Sequence, residues 1–457
     1  MSGTFPPTLF ASRRYAVLGL GRNGAAAART LAAMGAQVQA WDDLAGSRAM
    51  LDDTPAVRVA EFTSLDGFDA LVLSPGIPHT LPKPHPVAAM ARAAGVPILS
   101  DAELLFEAVR LSGSKARFAG ITGTNGKSTT TALLAHLLDS TGHPVAAGGN
   151  LGTAALALPL LGNDGTYVLE MSSYMLERLR TLRFDVASLL NLTPDHLDRH
   201  GDMAGYASAK LEIFARQQPG DTAVVAIDDA HGVALAARLP GCVTVSGRDV
   251  PADIRTVGTV LTDAAGPIAD LAGINTLLGQ HNAQNAATAV ALALALGVAR
   301  DALPAALASY PGLPHRQQRV ATIDGIAFIN DSKATNADAA AWALGCYDRI
   351  VWIAGGVAKA GGIDTLAPFF PRIDTALLVG EAAPAFAETL AAHGVAHRIV
   401  DRLPQAVEQG FELARAHGVG VVLLSPACAS FDQYPNFELR GTHFSALARL
   451  LEAERAV

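Results

Sequence analysis

The stretch FAGITGTNGKSTTTALLAHLLDS, residues 118–140, decides the architecture. The apolar run Phe118–Thr122 leads directly into the loop Gly123-Thr124-Asn125-Gly126-Lys127-Ser128-Thr129. A segment follows in which Leu133, Leu134, Leu137 and Leu138 recur at helical spacing. A strand that enters a helix through a glycine loop aims backbone amides at one point. There they cradle phosphates, a lysine reaches the β- and γ-phosphates, and the hydroxyl after it can bind Mg²⁺. Ile121 stands where the usual pattern has glycine, but the strand, loop and helix context still reads as an ATP or GTP site.

The same alternation of short β-prone runs and Ala/Leu-rich amphipathic segments extends in both directions, and it implies parallel sheets covered on both faces. Upstream, Tyr15–Gly19, Gln37–Trp41, Ala70–Ser74 and Val96–Leu99 read as strands, with Ala25–Met34 as the first helix. Tyr167–Met171, Val186–Asn191 and Thr222–Ile227 continue the middle unit, and the less regular stretch 241–279 suits antiparallel strands. After Tyr310–His315 come the strands IAFIND, RIVWIAGG, TALLVG and VVLLS. The expected fold is α/β in three domains. These are a Rossmann-like domain over 1–108, a P-loop ATPase-like domain over 109–312 and a second Rossmann-like domain over 313–457.

Composition narrows the class of protein. Of the 457 residues, 50% are hydrophobic and 17% charged, which excludes an intrinsically disordered chain. The formal charge of −8 and the lack of a basic run argue against nucleic acid and anionic membranes as partners. No signal peptide is read, and the most apolar stretch, Ala286–Ala299, is too short to span a bilayer. Cys242, Cys346 and Cys428 fit neither a disulfide framework nor a zinc site, so a cytoplasmic setting is expected.

Several segments carry candidate chemistry. Gly19-Leu20-Gly21-Arg22-Asn23-Gly24 follows a strand and opens a helix, with Asp42 at the end of the next strand, as in dinucleotide-binding folds. It reads as a nicotinamide site, a site for another diphosphate such as a nucleotide sugar, or an empty turn. Glu170 interrupts an apolar strand at its C-terminal end, where a carboxylate could hold Mg²⁺. Asn191–Asp198 places Asp195, His196 and Asp198 in one turn. Lys210 has Tyr206, Ala207, Ile213 and Phe214 three or four residues away, so it lies along an apolar stripe. There it either snorkels outward or is desolvated, and a neutral amine can take up CO₂ as a carbamate. His281 and Asn285 lie one turn apart near a helix start. Arg316 is placed to clamp phosphate, and Asp331 and Lys333 follow a strand. The loops Gly355–Lys359 and Ser425–Asp432 complete a polar strand-end edge.

Taken in order, GLGRNG, SPGI (74–77), GTNGKST, GGNLG (148–152), LEMSSY (169–174), DHLDRH, GQHNAQN, His315-Arg316, NDSKATN and SPACASFDQYPNFELRG resemble the Mur ligase family over essentially the whole chain. NDSKATN and SPACAS resemble its D-glutamate-adding branch. Tyr174-Met175 and Val357 depart from residues common in the family. The resemblance implies an ATP-dependent ligase of peptidoglycan precursor synthesis, a cytoplasmic monomer joining UDP-N-acetylmuramoyl-L-alanine to D-glutamate through an acyl phosphate. It implies that Gly21, Asp42, Ser74 and Asn150 line a UDP-sugar site, so the first domain binds UDP and not NAD. ATP would be surrounded by the 123–129 loop together with Asn282, Asn285, Arg316 and Asp331. Ser128 and Glu170 would hold one Mg²⁺, and His196 with carbamylated Lys210 a second, with Mn²⁺ possible in either. Lys333, Thr335, Lys359, Ser430 and Phe437 would receive D-glutamate, and Lys127, His196, Lys210 and Lys333 would carry the chemistry.

Overall fold

A computed structural model describes residues 3–150, 152–359 and 361–455; Leu151 of the GGNLG motif lies outside the described residues. The chain forms two compact units. One comprises Met1–Ile274 with Gln280–Tyr310, the other Asn275–Gly279 with Pro311–Val457.

The first unit contains two sheets. The smaller is wholly parallel, with strands in the spatial order Val57–Val59, Gln37–Trp41, Arg14–Leu18, Ala70–Leu73, Ile98–Leu99. Every residue of Ala70–Leu73 is buried, as parallel strands covered on both faces require. The helix Arg22–Ala33 begins at Gly21 and presses on the preceding turn. A Cβ on Gly24 would lie 1.8 Å from the Gly19 carbonyl oxygen, so only glycine permits this approach.

The larger sheet has nine strands. Its parallel part runs Val145–Gly149, Thr166–Glu170, Arg117–Thr122, Val186–Leu189, Thr222–Ala226, Val243–Ser246, Ile254–Val257. Val260–Asp263 and Gly266–Asp270 then add antiparallel strands, where the sequence suggested them. The helices Lys127–Ser140 and Gln280–Ala295 pack on each other, and the second is buried from Asn282 to Ala293. Burial on all faces accounts for the apolar run from Ala286 onward. The helix that carries Lys210 spans Met203–Leu211 and ends before Ile213 and Phe214. Beyond it the amide of Ile213 donates to the Lys210 carbonyl in a tighter turn.

In the second unit six strands run Gln318–Ile323, Ile326–Asn330, Val421–Leu424, Ile350–Gly355, Ile373–Val379, His397–Ile399, all parallel except the first pair. Trp352 is fully buried at its centre and donates its indole N–H to the Ser425 carbonyl at 2.8 Å. Among the described residues no helix is long and apolar enough to cross a membrane.

Gly24→Ala should lower the stability of the first unit by about 2 kcal/mol, since overpacking against backbone leaves no side chain to yield. Thermal unfolding followed by circular dichroism checks this.

Candidate active site

In the three larger sheets the candidate residues cluster where parallel strands end, the edge at which doubly wound folds bind ligands. In the larger sheet of the first unit the 123–129 loop is held open by its neighbours. Asn191, at the end of the adjacent strand, accepts the Thr124 and Asn125 amides on its Oδ1 at 3.1 and 2.8 Å. Its Nδ2 donates back to the Asn125 carbonyl at 3.1 Å. Gly126 has φ 86°, and a Cβ there would meet Asn285 Oδ1 at 2.3 Å. Asn285 in turn accepts from Thr130 Oγ1 at 3.3 Å and donates to Asn282 Oδ1 at 3.1 Å. The loop and the start of the Gln280–Ala295 helix are therefore one construction, with Ser128 and Thr129 buried at the helix entry.

Lys127 folds back on its loop, its Nζ donating to the Gly123 and Thr124 carbonyls at 3.0 and 2.8 Å. Lys210 reaches the same Gly123 oxygen at 2.8 Å. It does not snorkel: Lys210 is 2% exposed, with Nζ 4.6 Å from the centre of the Tyr206 ring. Burial, reinforced by the neighbouring Lys127 charge, pushes its pKa down to about 6, so the amine is neutral at pH 7. Tyr206 closes the other side, its hydroxyl 3.2 Å from Thr124 Oγ1.

Glu170 is 2% exposed. Asn150 Nδ2 donates to its Oε1 at 2.9 Å, and its Oε2 is buried with no hydrogen-bond partner. A buried carboxylate oxygen without a donor is the arrangement a hard cation completes, so Glu170 fits a Mg²⁺ site to which Ser128 could add a hydroxyl. Among the described residues no three His, Cys, Asp or Glu side chains gather as a metal cluster, so any second site needs ligands of another kind. His196 has φ 53° and is about half exposed, 5.0 Å from the Tyr174 ring; partial desolvation of its ring, with the nearby Lys127, lowers its pKa against the pull of Asp195. A neutral imidazole can ligate a metal, whereas the Lys210 amine becomes an oxygen ligand only as a carbamate.

At the smaller sheet of the first unit, Gly21 is exposed at the helix start, and Ser74 Oγ donates to the Gly19 carbonyl at 2.8 Å. Asp42 is occupied by main chain: its two oxygens accept the Leu20 and Leu44 amides at 2.6 and 2.8 Å. It therefore fixes the shape of the glycine turn. Asn150, grouped by the family resemblance with these residues, points its amide at Glu170.

The second unit gathers the remaining candidates. Asp331 is buried; its carboxylate accepts from Ser425 Oγ at 2.8 Å and from the Gln317 amide at 3.2 Å. Burial raises its pKa to about 7 against these bonds and the nearby Arg316 charge. Lys333 places Nζ 4.1 Å from the Phe437 ring centre, and its amide donates to the His315 carbonyl at 3.0 Å. Ser430 is buried, Thr335 half-buried and Lys359 exposed. Sequence reasoning missed Arg440, which is buried and binds the Ser332 and Cys428 carbonyls at 2.9 and 3.0 Å beneath this set. It also missed Arg178, whose only local signal is a charge among Met175, Leu176 and Leu179.

Residues 121–293 match the family description "Mur ligase middle domain", and residues 315–428 match "Mur ligase, glutamate ligase domain". The chain is 51% identical to the UDP-N-acetylmuramoylalanine--D-glutamate ligase of Paramagnetospirillum magneticum, over 97% of this chain and 98% of that protein. It is 50% identical to the protein of the same name from Rhizobium johnstonii, over 96% and 95%. Among solved structures, UDP-N-acetylmuramate-alanine ligase from Thermotoga maritima aligns with a TM-score of 0.60, covering 96% of this chain and 99% of that one. At 18% identity this is a likeness of fold.

The buried Lys210 predicts a pH-dependent stability. Its folded pKa, about 6, lies below its unfolded value. The unfolded chain therefore binds the extra proton between those values, and wild-type stability rises with pH through that window and is flat below it. In CO₂-free buffer, Lys210→Met should be more stable than wild type. The gap should shrink as pH climbs from 6 to 9, by on the order of 1 kcal/mol per unit, in urea titrations at each pH.

Proposed function

The chain belongs to the Mur ligase family, and on that premise we propose that it joins D-glutamate to UDP-N-acetylmuramoyl-L-alanine with hydrolysis of ATP, in the cytoplasmic synthesis of the peptidoglycan precursor. The observation that carries this reading is the half-identity, over nearly the whole of both chains, to relatives named for that reaction. The site chemistry supports it.

A carboxylate is a poor acyl donor because its oxygen leaves badly. In this reaction the terminal alanine carboxylate attacks the γ-phosphate of ATP, forming an acyl phosphate and releasing ADP. The amine of D-glutamate then adds to the acyl carbon, and the tetrahedral species collapses to the amide with loss of inorganic phosphate. Throughout, negative charge gathers on phosphoryl oxygens, and a preorganised cation and amide cradle is the effective form of catalysis.

The 123–129 loop supplies that cradle, because Asn191 and Asn285 fix its shape before any ligand arrives. Lys127 turns from its loop carbonyls to the β- and γ-phosphates. Asn282, Asn285, Arg316 and Asp331 complete the nucleotide contacts. Gly21, Asp42, Ser74 and Asn150 belong to the UDP-sugar end, Asp42 by holding the glycine turn. Lys333, Thr335, Lys359, Ser430 and Phe437 receive D-glutamate, with the Lys333 ammonium held over the Phe437 ring for its carboxylates.

Ser128 with Glu170, and His196 with carbamylated Lys210, would hold Mg²⁺ or Mn²⁺, which when bound neutralises phosphate charge. The Lys210 amine, neutral at pH 7, forms an N–C bond to CO₂ and loses a proton to water, which turns a buried base into an anionic oxygen ligand. The orphaned Glu170 Oε2 is the structural observation behind the first pair. We assign the three steps of recognition, for UDP-sugar, ATP and amino acid, to residues 1–108, 109–312 and 313–457, in a monomer.

Purified protein should release ADP and phosphate only when UDP-N-acetylmuramoyl-L-alanine, ATP and D-glutamate are all present. Equal or greater turnover with L-glutamate would contradict the assignment. Lys210→Ala should reduce turnover about 100-fold or more, with partial recovery on adding a short carboxylic acid, measured in the same assay.

A further inference from the structure

The segment after the strand Ala70–Leu73 is gripped from the larger sheet of the same unit in a way the reaction chemistry leaves unexplained. Arg178, just beyond the short helix Ser173–Leu176, is 2% exposed. Its Nη1 donates to the carbonyls of Leu73 and Ser74 at 2.7 and 3.2 Å, and its Nη2 to that of Ile77 at 2.9 Å. Arg199, three residues after His196, donates to the Gly76 and Ile77 carbonyls at 3.1 and 3.4 Å. Two guanidinium groups thus collect four consecutive or nearly consecutive carbonyls, and among the described residues neither forms an ion pair. Arg178 also meets His79 Nδ1 at 3.4 Å, and a charge buried without a carboxylate partner carries a desolvation cost that no ion pair offsets. What it supplies is direction, because a planar fork fixes several acceptors at once.

The gripped segment is not a free loop. Ser74 Oγ donates to the Gly19 carbonyl, and a Cβ on Gly19 would lie 2.7 Å from Ser74 Cβ, so the segment and the glycine turn move as one piece. On its other side the Arg199 guanidinium lies 4.4 Å above the Tyr174 ring, which is itself 5.0 Å from that of His196. The same side chains therefore touch the segment carrying Ser74 and the surroundings of His196.

We propose that Arg178 and Arg199 are positioning residues for the UDP-bearing substrate: they set the main-chain path of Ser74–Ile77, and with it the Gly19–Gly24 turn, against the short helix Leu197–His200 that His196 begins. This rests on the ligase reading above. Neither arginine touches the reacting atoms; each acts through the carbonyls it holds.

The test uses the full chain with Arg178→Lys and Arg199→Lys, which keep the charge but replace a fork with a single point donor. KM for UDP-N-acetylmuramoyl-L-alanine, KM for ATP, kcat and the thermal midpoint are measured for each. The expected result is a rise of about tenfold in KM for the UDP substrate with KM for ATP changed less than about twofold. Should Arg178→Lys fail to fold, the less buried Arg199→Lys carries the test. An unchanged KM for the UDP substrate overturns the proposal, as does a parallel rise in both KM values with a lowered midpoint, which marks general support of the fold. Absence of turnover by the wild type on this substrate would instead overturn the ligase reading, and this inference with it.

Discussion

Two lysine amines converge on one carbonyl oxygen. Lys127 and Lys210 both donate to Gly123 O, at 3.0 and 2.8 Å, and the rest of the first unit's site is organised around that shared acceptor. Two ammonium groups cannot both be held there cheaply when one is out of water. Lys127 lies on the loop and is partly solvated, whereas burial makes Lys210 the neutral partner. A buried neutral amine beside a phosphate loop is available for chemistry that an exposed lysine would not undertake at neutral pH. Formation of a carbamate would place an anion where the neutral amine stood, beside Lys127.

That arrangement requires a rigid loop, and the rigidity comes from side chains on the neighbouring strand end and helix. Asn191 ties the loop to the neighbouring strand end, while Asn285 presses on Gly126 from the buried helix. Gln284 of the same helix donates to the Leu190 carbonyl, one residue before Asn191. Strand end, loop and helix start thus share one hydrogen-bonded seam. The smaller sheet uses the same device: both Asp42 oxygens accept main-chain amides, which fixes the shape of the glycine turn.

The layer plan was legible because it rests on periodicity. Runs such as Ala70–Leu73 and Ile350–Gly355 are buried throughout, and burial on both faces leaves an apolar signature. Val145–Gly149 was missed because its residues after Val145 are only alanine and glycine, and it pairs on one side alone at the sheet edge. Lys210 could be placed on an apolar stripe from its neighbours three and four residues away, yet sequence could not choose between snorkelling and burial. The choice depends on Gly123 and Tyr206, the first of them 87 residues away. Arg178 and Arg440 were overlooked for a related reason. Most of their partners are main-chain carbonyls, which every residue possesses and which therefore leave no mark in the sequence.

The central claim is that the neutral Lys210 amine takes up CO₂. ¹³C nuclear magnetic resonance of the protein equilibrated with ¹³C-bicarbonate tests it directly. At neutral pH the account predicts a carbamate resonance that is absent from Lys210→Ala and that disappears on acidification below about pH 6, where the amine becomes protonated. A wild-type spectrum without that resonance, or one that survives in Lys210→Ala, would contradict it.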